Sequence, residues 1–96
     1  SMNKIKAGQY WKYTFKADDY IVICVTEYKD EKYSGVVVES TQYNIDKFPV
    51  GHIENCWTVG KSFAWSLLDD SYVVPAGAIF QNKNDIYDTL HEMLKS

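Results

Sequence analysis

The stretch YWKYTFKADDYIVICVTEY, residues 10–28, decides the fold. Its first seven residues alternate. Trp11, Tyr13 and Phe15 point one way, and Lys12, Thr14 and Lys16 point the other, the period-two pattern of a half-buried strand. Ala17-Asp18-Asp19 then has turn chemistry. From Tyr20 the pattern changes. Ile21, Ile23 and Val25 make one apolar face, while Tyr20, Val22 and Cys24 make the other. A strand that is apolar on both faces must be covered on both sides. These nineteen residues therefore predict an antiparallel pair at the heart of a β-rich domain.

The same reading extends outward. Lys29 to Lys32 is a polar turn, and residues 33–41 form a third strand in which Gly35 marks a bulge or sharp bend. Residues 42–50 read as a longer connection held to the body by Tyr43, Ile45 and Phe48, with Pro49 excluding a central strand. Residues 51–57 and 62–68 read as two more strands joined at Thr58–Lys61, with Gly60 at positive φ in a hairpin turn. Residues 72–80 are ambiguous, because Val73 and Val74 favour a strand that Pro75 interrupts. Ile86, Leu90, Met93 and Leu94 change the period to that of a helix with one apolar face, over about 84–95. Asn84 is its N-cap. The expected architecture is a mainly β single domain: a small, strongly bent, antiparallel SH3-like barrel of five or six strands over about 8–80, with one C-terminal α-helix. A helix-plus-sheet α+β sandwich is the alternative, and the acidic ligand loop of a true SH3 domain is absent.

Composition narrows the function. The 96 residues suffice for one domain with one modest core. Ser1, ahead of Met2, is read as an expression scar. No apolar run approaches the ~20 residues that cross a bilayer and no signal peptide is evident, so a soluble, cytoplasmic protein is expected. All ten basic residues are lysines and the net charge is −3. Without arginine forks and with a negative balance, the chain is not expected to bind duplex nucleic acid. Cys24 and Cys56 lie in apolar, strand-like surroundings and are read as two buried thiols rather than a disulfide.

The obvious chemical motifs fail on spacing. Gly60-Lys61-Ser62 would close a phosphate loop, but its first glycine would stand where the chain has Asn55, and no helical pattern follows Ser62. His52 and Cys56 share a strand face at a separation of ~13 Å, too far for one metal ion. The pairs Asp18-Asp19, Asp30-Glu31 and Asp69-Asp70 sit in turns, where adjacent carboxylates serve the turn rather than catalysis. No cofactor motif is present, and no catalytic constellation forms.

The aromatic content remains. Three Trp, eight Tyr and four Phe are more than a domain of this size hides completely, because it buries only ~60–65% of its unfolded surface. Trp11, Trp57 and Trp65 fall on three different strands, with Tyr13 and Tyr72 in reach. The plainer reading puts these rings in the core, and for Trp11 and Trp65 the core is the favoured place. The functional expectation is a pocket in which these rings stack on a planar, nucleotide-type ligand while His52 or Lys61 meets a charge. Each stacked base contributes ~1–3 kcal/mol. A homo-oligomer would cover surplus aromatic surface and close such a pocket. An interaction module presenting its aromatic residues to a host protein is the alternative.

In size, acidity, Lys/Asn/Ile/Tyr-rich usage and lack of catalytic residues, the chain resembles small phage-encoded anti-defence proteins, some of which are compact oligomers that sequester nucleotide immune signals. The resemblance implies a non-enzymatic binding protein working in the host cytoplasm. It carries no site residues onto this chain.

Overall fold

A computed structural model describes residues 5–75 and, beyond them, Asp88. Five strands make one antiparallel sheet: β1 Tyr10–Lys16, β2 Asp19–Lys29, β3 Lys32–Ser40, β4 Ile53–Trp57 and β5 Trp65–Leu67. Their order across the sheet is β4-β3-β2-β1-β5. The first four strands form a meander, and β5 returns to the free side of β1, Tyr13 opposite Trp65 and Trp11 opposite Leu67. The helix expected over 84–95 lies outside the described residues, Asp88 excepted, as does the end of the ambiguous segment 72–80.

The two-faced reading of β2 holds. Ile21, Ile23 and Val25 join Trp11, Val37, Trp57, Val59 and Trp65 on one side of the sheet. Val22 and Cys24 join Tyr10, Val36 and Val38 on the other. Both cysteines are free thiols, but only Cys24 is buried as expected; Cys56 is exposed, because it stands on edge strand β4.

Bulges set which residue meets which side. In the β2–β3 ladder Val25 pairs with Gly35 and Glu27 with Ser34, which leaves Thr26 unpaired. The β3–β4 ladder also slips between Tyr33 and Gly35. With an extra residue in β4, Ile53 and Trp57 end on opposite sides of the sheet despite sharing a parity. Gly35 sits at the centre of this irregularity, as its position in the sequence suggests. A Cβ there would stand 2.9 Å from the Cys24 carbonyl oxygen and 3.3 Å from Trp57 Cδ1. The missing side chain lets the Trp57 indole lie down and donate its N–H to the Gly35 carbonyl at 3.2 Å.

Two expectations are corrected. Among the described residues the sheet does not close into a barrel: β4 and β5 stand at its two edges and no ladder joins them. For the same reason the connection after Trp57 is not a hairpin. Residues 58–64 instead cross from one edge to the other through two turns, with Lys61 N–H on the Thr58 carbonyl and Trp65 N–H on that of Ser62. Gly60 does take positive φ, at 74°. Val59 drops from this crossing into the core and plugs the end of the sheet. The alternation of Phe63, Trp65 and Leu67 suggested a longer β5, but the turn at Ser62 takes Phe63 out of the ladder and leaves it fully exposed.

The connection after β3 is also only partly tucked in. Phe48 packs on the core, but Tyr43 and Ile45 are exposed. The anchor is polar. The Asp19 carboxylate, buried at the start of β2, accepts hydrogen bonds from Thr41 Oγ1 at 2.9 Å and from Asn44 Nδ2. The Asn44 carbonyl in turn accepts the Phe48 N–H.

Candidate functional site

Five rings surround one cleft. Tyr13 and Phe15 come from β1, Phe48 from the 41–50 connection, Trp57 from the end of β4 and Trp65 from the start of β5. Their centroids form a closed circuit: Tyr13 to Phe15 4.8 Å, Phe15 to Phe48 6.0 Å, Phe48 to Trp57 5.8 Å, Trp57 to Trp65 6.1 Å and Trp65 to Tyr13 4.9 Å. The cleft has a volume of about 220 Å³, and Ile21 and Thr58 complete its lining. The two indoles are almost wholly buried, whereas Phe15 is 42% exposed, so the site has a fixed indole wall and an accessible rim.

Local sequence explains the convergence. Period two puts Tyr13 on the side of β1 that faces Trp65 across the ladder. The β4 bulge and Gly35 lay Trp57 toward the same side. The Asp19–Asn44 anchor sets the turn that carries Phe48. In a flat sheet the two edges would stand roughly 19 Å apart, four ladder spacings. Edge-to-face contact between Trp57 and Trp65 therefore requires a strongly curled sheet, and the cleft lies in its hollow.

The residues expected at the site divide into three groups. Tyr13, Trp57 and Trp65 line the cleft. His52 stands outside it, its ring edge-on to Phe48 and Trp57 at 5.8 and 6.4 Å, with Nε2 2.9 Å from Glu54 Oε1. Glu54 also accepts the Cys56 thiol at 3.8 Å, so His52 and Cys56 meet through a carboxylate between them. Trp11 packs in the same core cluster but contributes no wall. Lys61 is exposed in the crossing turn and is not among the lining residues. Tyr72 belongs to the opposite side of the sheet, 4.9 Å from the Tyr10 ring.

Phe15 and Phe48 are the walls that sequence reasoning left out. Phe15 shares its parity with Trp11 and Tyr13, which was a usable signal. Phe48 had none beyond its place before Pro49, since a side chain on a long connection has no periodicity to orient it.

A larger cleft, about 600 Å³, lies on the other side, between residues 6–10 and residues 67–72. Its two rings, Tyr10 and Tyr72, are engaged with each other, and the Tyr72 hydroxyl donates to Glu39 at 2.8 Å. Tyr20 donates to the other oxygen of the same carboxylate at 2.6 Å. Burial, followed by the hydrogen bond to Glu39, pushes the Tyr72 hydroxyl far above the usual tyrosine range. For Tyr20 the hydrogen bond to Glu39 is the first cause of an upward shift. These groups hold the 68–75 segment to the sheet, so the smaller, ring-walled cleft is the better candidate for ligand.

Among the described residues no group of three or more His, Cys, Asp and Glu side chains is placed to hold a metal ion. No helix among them is long and apolar enough to cross a membrane. Comparison with protein-family models, curated proteins and solved structures gives no match for the chain.

Proposed function

We propose that this chain is a non-enzymatic binding protein that holds a small planar, nucleotide-type ligand in the five-ring cleft. The closed circuit of Tyr13, Phe15, Phe48, Trp57 and Trp65 around an open volume is the observation that carries the reading. Rings contributed by four separate chain segments offer π-surface to a flat guest without needing arginine. The four-strand meander with a fifth strand returning to the free side of its first supports an SH3-like description of the open sheet. The compositional likeness to phage anti-defence proteins supplies a setting, sequestration of a nucleotide immune signal in the host cytoplasm. A homo-oligomer fits the exposed apolar side chains.

The test is to incubate the protein with a nucleotide-signal extract, remove unbound material, heat it and identify what is released by mass spectrometry. Intact nucleotide in amounts stoichiometric with protein is expected. Release of a chemically altered compound, or of none, refutes the reading.

One observation favours a second reading. Tyr43, Ile45 and Phe63 are large apolar side chains left exposed, and an interaction module would bury them against a polypeptide. That reading requires capture of a defined protein and no small molecule.

A further inference from the structure

We infer that the cleft prefers a ligand whose ring carries a positive charge, an N-alkylated heteroaromatic of the alkylpyridinium kind, over the neutral ring of the same shape. This rests on the reading of the cleft as a ligand site and names the class of ligand it selects.

The circuit has five sides of 4.8–6.1 Å. A group at the middle of a flat circuit of that size would lie about 5 Å from the centroids, inside the ~6 Å over which those rings that turn a face toward it attract a cation. Two of the five rings are indoles, the strongest such partners. The two remaining lining residues, Ile21 and Thr58, bring no like charge into the cleft. A carboxylate stands beside the circuit, Glu54, held 2.9 Å from the histidine that packs edge-on to Phe48 and Trp57. The chain as a whole carries a net charge of −3.

Among the described residues one cation lies over a ring of the circuit and opposes this. Lys47 Nζ stands 5.4 Å from the Phe48 centroid, outside the lining. It shows that this ring accepts an ammonium, and it acts on one ring of five. A neutral ring gains contact area from the same walls, but nothing from their quadrupoles as a charged partner does.

The experiment is a titration of the full chain with 1-methylnicotinamide, a cation, and with nicotinamide, its neutral counterpart, followed by tryptophan fluorescence and calorimetry. The cation is expected to bind about tenfold more tightly. Phe15→Leu keeps an apolar side chain at an accessible position and removes one ring, and Glu54→Gln removes the neighbouring charge. Each should lower the cation's advantage by roughly threefold while the neutral ring changes less. Equal affinity for the two probes overturns the charge preference and leaves the cleft as a ligand site. Binding of neither overturns both. A preference unmoved by both substitutions overturns its assignment to this circuit.

Discussion

Trp57 and Trp65 belong to opposite edges of the sheet, yet their rings meet edge-to-face with centroids 6.1 Å apart and planes at 86°. Side chains thus make the junction that backbone hydrogen bonds do not, and the sheet is held curled by two indoles rather than by a closing ladder. The contact also forms the floor-side wall of the cleft, so shape and site share the same residues.

Gly35 makes that wall possible, and Gly35→Ala tests the dependence. The new methyl would stand 2.9 Å from a backbone oxygen, which yields less readily than a flexible side chain. A loss of about 1–3 kcal/mol in urea unfolding is expected. A changed tryptophan emission should accompany it, because the Trp57 indole must move. Unchanged stability would show that the chain relaxes freely at this bulge.

Asp19 governs the rim from a distance. Asp19→Ala leaves Thr41 and Asn44 without their buried acceptor, at a cost of about 1–3 kcal/mol. It should also loosen the turn that carries Phe48. Chemical denaturation reads the first effect, and weakened uptake of a cleft ligand at a temperature where the variant is still folded reads the second.

The β2–β3 turn stores strain that can be removed. Asp30 and Glu31 both adopt left-handed backbone, with φ of 54° and 64°. This is the conformation of a two-residue hairpin turn that favours Asn-Gly. Asp30→Asn combined with Glu31→Gly should stabilise the domain by about 1 kcal/mol, since relief of a left-handed non-glycine outweighs the added freedom of the unfolded glycine. A rise in melting temperature of roughly 4–8 °C would follow for a domain of this size. Calorimetry checks it.

The tyrosine pair on Glu39 gives stability a dependence on alkaline pH. Both hydroxyls have folded-state pKa values raised above the unfolded value near 10. Their contribution is therefore complete below about pH 10 and declines as the pH rises through the folded-state values. Urea midpoints measured from pH 8 to 11 should fall at the upper end. Tyr72→Phe should lower stability at pH 8 and flatten the fall, because the more strongly shifted group is gone.

Lys47→Met offers a check on charge at the cleft. Removing the ammonium over Phe48 should raise affinity for a cationic ring by a few tenths of a kcal/mol to about 1 kcal/mol, an exposed-site magnitude. Paired titrations of variant and parent measure it.

What was readable in the sequence follows from periodicity. Residues 10–28 announce both strands and both faces of β2 because each side chain's direction follows from its parity. Gly35 and Gly60 were readable because each marks backbone that other residues resist. The closed barrel failed because periodicity says nothing about which edges pair. The 58–64 segment has turn chemistry whether it reverses the chain locally or carries it across the sheet. Within the site, Tyr13, Trp57 and Trp65 were found and Phe48 was not. Trp57 reaches the cleft through a bulge in β4 that its own pattern does not advertise, so its inclusion owed more to residue type than to direction.

The crossing formed by residues 58–64 has a mechanical meaning. It straps the two rims of the curled sheet together at a fixed length, so the aperture of the aromatic hollow is gauged by the number of residues in the strap. A guest seated there would be gripped by segments that touch one another only in the native chain. A guest that binds only this native arrangement must raise the melting temperature, in proportion to the logarithm of its excess concentration.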